Sequence, residues 1–115
     1  EEELVINQNT LNQLFKYGGK ELIEQVLEDF DKEAAQQVEA TITHHQAGQY
    51  EEMRTQLHTL KGNAGTFGVE RLSSLAAHME KMLKEDKIDN LDGLLLKLKA
   101  TLQEYQESYS QLINS

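Results

Sequence analysis

The residues with the most chemistry to offer lie in one run, LHTLKGNAGTFG over 57–68. On a helix the positions three, four and seven after a residue share its face, and counted from His58 these are Lys61, Gly62 and Gly65. An imidazole then stands beside an ammonium with bare backbone next to both. The ring is a nucleophile near neutral pH, and the ammonium one turn along can offset the charge of an anionic group arriving at it. Each glycine weakens a helix interior by roughly 0.5–1 kcal/mol relative to alanine. Their use here points to something that must come close to this surface. A lone histidine on a helix is ordinarily only a surface residue, and the His-x-x-Lys-Gly context is what lifts this one out.

The scaffold for that run reads as all-helical. The chain has 115 residues, no Pro, no Trp and three Phe, with long Glu, Gln, Lys and Leu-rich stretches. These are helix formers, and the length suits a single domain over 1–115 with a modest core. A formal charge of −9, from 11 basic against 20 acidic residues, argues against nucleic acid, which is gripped by clustered Lys and Arg. The bland reading of the acidity is solubility. There is no cysteine, so there is no disulfide framework and no thiol chemistry, as suits a reducing cytoplasm. No apolar run is long enough for a membrane span and no segment resembles a signal peptide. The chain begins at Glu1 and not Met, which fits a piece cut from a larger parent.

In chain order, a short helix is expected over about 8–17, with Asn7 or Thr10 as N-cap, Gln13 in capping-box spacing from Thr10, and Leu11, Leu14 and Phe15 as its apolar face. Gly18 and Gly19 then open a loop. A long helix follows from Lys20 on Ile23, Val26, Leu27, Phe30, Ala34, Val38 and Ile42, up to Gly48. Its acids crowd the first half, and His44 and His45 sit in its last turn, as the helix dipole favours. A third helix begins near Gln49 on the seam Tyr50, Met53, Leu57, Leu60, Ala64 and Phe67, and ends at Gly68. The fourth runs from Val69 to Glu85 on Val69, Leu72, Ala76, Met79 and Leu83. The fifth starts at Asn90, capped by Asp89 or Asn90, on Leu91, Leu95, Leu98, Leu102, Tyr105, Tyr109 and Leu112. Four long amphipathic helices with short connections fold as an antiparallel up-down four-helix bundle, with the short N-terminal helix across one end.

That arrangement names a partner for the histidine. At 100° per residue the seam of the third helix and the His58 stripe lie roughly 130° apart, so His58 belongs to the outer surface or its border. If the chain turns back at Gly68, His58 lies about 15 Å from the turn, and a residue ten to twelve places after the turn stands level with it. Of the candidates, Met79 is on the core seam and His78 lies on the far side of the wheel. Glu80 falls on the border of the apolar face with Ser73 and Ala77. A carboxylate accepting a hydrogen bond from one ring nitrogen fixes the tautomer and leaves the other nitrogen free for solvent and nucleophilic attack. These are the needs of a histidine that takes a phosphoryl group from another protein. No nucleotide-binding or kinase motif accompanies it.

HTLKGNAGTFG from His58 to Gly68, followed by Val69, Leu72 and Glu80, closely resembles the histidine-containing phosphotransfer (HPt) domains of bacterial multistep phosphorelays. The likeness extends more weakly over the whole chain, including VINQNTLNQL near the start and Phe30 in the second helix. It implies that His58 is the phosphorylated histidine, that Lys61 and Gly62 are the residues that follow it in the family, and that Glu80 holds the imidazole. It further implies a carrier that is not an enzyme and has no cofactor. Its partners would be receiver domains of response regulators and a hybrid sensor histidine kinase, with Mg2+ held by the receiver. The expected state is a cytoplasmic monomer without membrane contact. The chemotaxis-type members often carry a second histidine one residue before the position of His78. Here Ala77 stands there, so a hybrid-kinase or free-standing relay domain is the better match.

Duller readings stand beside these. His44 and His45 are adjacent and so not on one face, which suits helix-end residues and not a metal site. Gly62 and Gly65 can serve helix packing, but their place on the polar side gives them to approach from outside. Tyr105 and Tyr109 continue the last seam as core or rim. A docking bundle without phosphoryl chemistry is the competing class. A metal- or haem-binding bundle lacks the facing Glu-x-x-His pairs such cores use.

Overall fold

The computed structural model describes residues 5–114, with side chains as far as Gln111. Among them there are four helices and no strand: α1 Gln8–Gln46, α2 Tyr50–Thr66, α3 Glu70–Lys84 and α4 Leu91–Asn114. Helix α1 packs on α2 and α4, and α3 packs on the same two. Heptad-like rows from every helix meet in one core, in which Leu27, Met53, Leu57, Leu60, Met79 and Leu98 are fully buried. The Phe30 ring stands edge-on to Tyr105 at 5.2 Å and tilted to Phe67 at 5.7 Å, an arrangement that aromatic quadrupoles favour.

The break expected at Gly18 and Gly19 is a single residue and not a loop: α1 is two helical stretches that meet at Gly19, with φ 70° and ψ −161°. A residue without Cβ takes this positive φ at no steric cost, so the chain redirects itself in one step. Gly18 is fixed by packing instead, since a Cβ there would meet that of Leu22 at 2.6 Å. The face expected of the first turns is also smaller than its sequence. Leu11 is buried, but Phe15 is 61% exposed, as Tyr50 at the start of α2 is 40% exposed. A polar residue also takes a core place: Thr41 is fully buried, its hydroxyl donating to the Gln37 carbonyl at 2.7 Å. The side chain of Leu112, the last of the expected seam, lies outside the described residues.

Asn7 and not Thr10 caps α1, its Oδ1 accepting from the N–H groups of Asn9 and Thr10. The Asn7 N–H donates to the Gly68 carbonyl at 2.7 Å and its amide to Glu70 Oε1 at 2.8 Å. The start of α1 therefore seats on the turn between α2 and α3. That turn is a Schellman motif: Val69 N–H reaches back to the Ala64 carbonyl and Gly68 N–H to Gly65, with Gly68 at φ 73°. Gly68 has a second duty, because a Cβ there would stand 2.7 Å from Thr10 Oγ1. The same pair of backbone hydrogen bonds closes α1 at Gly48 and α3 at Asp86, the one non-glycine of the described residues with positive φ. Asn90 stands just before α4, its carbonyl accepting from Leu94 N–H at 3.1 Å.

Cross-helix pairs fix the registers. On one side His58 meets Glu80 and the Lys61 carbonyl meets Ser73. On the other, the Tyr105 hydroxyl donates to the Leu27 carbonyl and His45 meets Asp92.

Candidate functional site

The α2 seam places Leu57 and Leu60 at full burial. Both residues between them lean outward, and one is His58, whose side chain is 67% exposed. Its counterpart on α3 follows Met79 and precedes Leu83, both buried, and Glu80 is drawn in with them: its side chain is only 8% exposed. A carboxylate this far from water needs partners. It has three. His58 Nδ1 is 3.0 Å from Oε2, Lys61 Nζ is 3.0 Å from Oε1, and Lys84 Nζ is 3.9 Å from Oε2. Burial pushes the Glu80 carboxyl upward, but the hydrogen bonds from Lys61 and His58 and the charge they bring outweigh it, leaving the group below its ordinary value.

An ionised carboxylate only accepts hydrogen bonds, so His58 Nδ1 must carry the proton in this pair. The tautomer is thereby set, and Nε2 holds its lone pair on the exposed side of the ring. The arrangement can present a nucleophilic imidazole of fixed orientation to something arriving from solvent, next to two ammonium groups.

The sequence-predicted residues gather here with two differences. Lys61 sits on Glu80 and not beside an open anion site, a destination that the helical wheel of α2 alone does not reveal. Gly62 is exposed with nothing within 4 Å of where a Cβ would stand. Gly65 is exposed too, but a Cβ there would lie 3.4 Å from Ser73 Oγ, which donates to the Lys61 carbonyl at 2.9 Å. Its bare backbone therefore also lets α3 come close. Lys84 was missed, although its i+4 spacing from Glu80 is the signal that finds it. Ala77 is half-buried and His78 exposed. His44 and His45 lie elsewhere, His44 on Gln49 at 2.8 Å and His45 near Asp92 at 3.6 Å. No group of three metal-ligating side chains occurs among the described residues, and no helix there is long and apolar enough to cross a membrane.

This helical array around an exposed, carboxylate-held histidine has a family. Residues 21–108 match the Hpt domain, and the chain belongs to that family. Its members are histidine phosphotransfer domains that carry phosphoryl groups to receiver domains in phosphorelays. The chain therefore has a histidine phosphotransfer role and the fold of a phosphocarrier. The fold is similar to that of histidine-containing phosphotransfer protein B (HptB) from Pseudomonas aeruginosa PAO1, with a TM-score of 0.87 over 96% of this chain and 95% of that one at 15% identity. Among curated proteins none matches the sequence.

Proposed function

We propose that His58 is the phosphoacceptor, that it takes a phosphoryl group from the aspartate of one receiver domain and that it passes it to another. The observation that carries this reading is the 3.0 Å contact of Glu80 with Nδ1 on a ring that is 67% exposed. One nitrogen is committed and the other is free. In the transfer, the Nε2 lone pair attacks phosphorus and the bond to the aspartyl oxygen breaks, its electron pair leaving with the carboxylate. The ring keeps its Nδ1 proton on Glu80 and becomes cationic beneath a dianionic phosphoryl group. Lys61 holds the other oxygen of Glu80 and so keeps that carboxylate ionised. Gly62, and Gly65 in part, leave room for the receiver's own site, where Mg2+ resides. No cofactor belongs to this chain.

The wider reading follows. Residues 1–115 form one domain, an antiparallel up-down four-helix bundle whose first turns lie across one end, consistent with the pairings 58–80 and 27–105. It acts as a cytoplasmic monomer between a hybrid sensor kinase and a response regulator, touching neither nucleic acid nor membrane.

The experiment is transfer from phosphorylated receiver domains. Acid-labile, base-stable label on the protein is expected with a cognate receiver, none with ATP alone, and none in His58→Gln. Undiminished label in that variant would remove the assignment. An interaction-only bundle, the competing reading, predicts no label at all.

A further inference from the structure

The three groups around Glu80 are not equivalent. Lys61 holds Oε1 at hydrogen-bond distance and His58 holds Oε2 likewise, whereas Lys84 at 3.9 Å is drawn in by charge alone and its side chain is 55% exposed. Lys61 lies one turn beyond His58 on α2 and Lys84 one turn beyond Glu80 on α3. Because residue 58 is level with 80 and residue 61 with 73, the two lysines bracket the imidazole from opposite ends.

We propose that Lys84, and not Lys61, is the cation that closes on the phosphoryl oxygens once the group is on His58 Nε2. This rests on His58 being the phosphoacceptor. Withdrawing Lys61 breaks a charge-assisted bond to a buried carboxylate and leaves one of its oxygens unpaired, a loss that buried ions tolerate poorly. Withdrawing Lys84 breaks no hydrogen bond. Its ammonium rides on a flexible four-carbon stem at the surface, next to the Glu80 oxygen that already touches the ring. The phosphoryl group brings a denser negative charge than the carboxylate, whose own charge His58 and Lys61 continue to balance. The labour is thus divided. Lys61 keeps Glu80 ionised and the tautomer set, while Lys84 moves to the product and stabilises phosphohistidine relative to the donor.

The test uses the full chain as parent, Lys84→Met, Lys84→Arg and Lys81→Met. Lys81 is an exposed lysine next in sequence to Glu80, so its variant makes the same change in net charge. Each protein is brought to equilibrium with a phosphorylated receiver domain, and separately labelled with phosphoramidate for phosphorus NMR. For Lys84→Met the ratio of phosphohistidine to phosphorylated receiver is expected to fall about threefold to tenfold, as for a partly exposed charged hydrogen bond. Lys84→Arg should restore it and Lys81→Met should leave it unchanged. The phosphoryl group of the parent should lose its second proton at lower pH than that of Lys84→Met, a shift that a merely structural lysine does not produce. An unchanged ratio and titration in Lys84→Met, or an equal fall in Lys81→Met, overturns the assignment of Lys84 while leaving His58 in place. A parent that takes no label from either donor overturns both.

Discussion

Two of the carboxylates that tie helices together in this molecule are satisfied in opposite ways. Glu80 joins α3 to α2 through three ionisable neighbours, His58, Lys61 and Lys84. Asp31 joins α1 to α4 through two neutral donors, the Gln106 amide at 2.7 Å and the Tyr109 hydroxyl at 2.8 Å. Tyr109 in turn stacks on the fully buried Tyr105 at 5.2 Å. Neutral donors saturate a carboxylate and leave nothing to react, so the α1–α4 link is a clamp. Cationic donors around a more deeply buried carboxylate can make a poised site, because one of them, His58, is itself exposed and has its far nitrogen free to act as the proposed nucleophile.

Removing each carboxylate should separate the two roles by the largest margin. Glu80→Ala frees the imidazole to rotate and to adopt the wrong tautomer. Receiver-to-His58 transfer is expected to slow about ten- to hundredfold. Its stability should fall by less than that of Asp31→Ala, by up to about 1 kcal/mol, since the charges left behind all reach solvent. Asp31→Ala should transfer phosphate at the parental rate and lose about 1–2 kcal/mol of stability in urea unfolding, because a half-buried hydroxyl and amide are left without their acceptor. A parental transfer rate in Glu80→Ala, or a slowed one in Asp31→Ala, would erase the distinction.

The pH dependence of unfolding should divide in the same way, with smaller effects. The Tyr109 hydroxyl is pushed up to about 12, first by burial and then by its hydrogen bond to Asp31 and that residue's charge. Burial, with Asp31 and Tyr109, pushes Tyr105 up further. A group whose folded value is raised stabilises fully below its unfolded value and loses that contribution as pH climbs through the folded one. Stability should therefore fall between pH 10 and about 12, and Tyr109→Phe should flatten that decline. Glu80 lies below its ordinary 4.5, so its contribution is present above that pH and disappears as acid protonates it. Melting temperature should drop below pH 4.5, and less steeply in Glu80→Gln. A profile indifferent to both substitutions would mean that neither carboxylate network matters to folding.

The poised half was far more legible in the sequence than the clamped half. His58 and Glu80 could be paired from helix rise and the helical wheel of α3, because Gly68 fixes where the chain turns and counting from it is simple. Gly48 announced its helix end for the same reason. Asp31, Gln106 and Tyr109 meet across more than seventy residues of chain, and nothing local sets the register of α1 against α4. The Gly18-Gly19 pair was ambiguous in principle, since two glycines suit a loop and a one-residue break equally well. Lys84 was hidden because an i+4 acid–base pair looks the same on a solvated face as over a buried carboxylate. Lys61 was placed on the correct face, but its partner depends on how deeply Glu80 sinks, which is a matter of α2 against α3. Asp86 closes its helix as a glycine does, and composition gives no warning of that.

The smallest effects expected distinguish the two glycines on the site face. Both are exposed and both weaken α2, so alanine at either should stabilise the free protein, by up to about 1 kcal/mol where the added methyl meets nothing. Gly62 satisfies that condition, having no atom within 4 Å of the new Cβ. At Gly65 the methyl would touch Ser73 Oγ at 3.4 Å, and that hydroxyl is holding the Lys61 carbonyl. Gly65→Ala should therefore gain less, because the serine must shift slightly or bond less well. Function should divide differently. A long side chain at 62 projects beside His58, where a receiver has to bring its aspartate and metal to the ring. Gly62→Gln is thus expected to keep or raise the melting temperature while cutting transfer from a phosphorylated receiver. Phosphoramidate, which is small enough to pass, should still label it. If Gly62→Gln instead lowers the melting temperature and transfers normally, the glycine serves the bundle and not its visitor. The site face would then be built by the same packing rules as the clamp opposite.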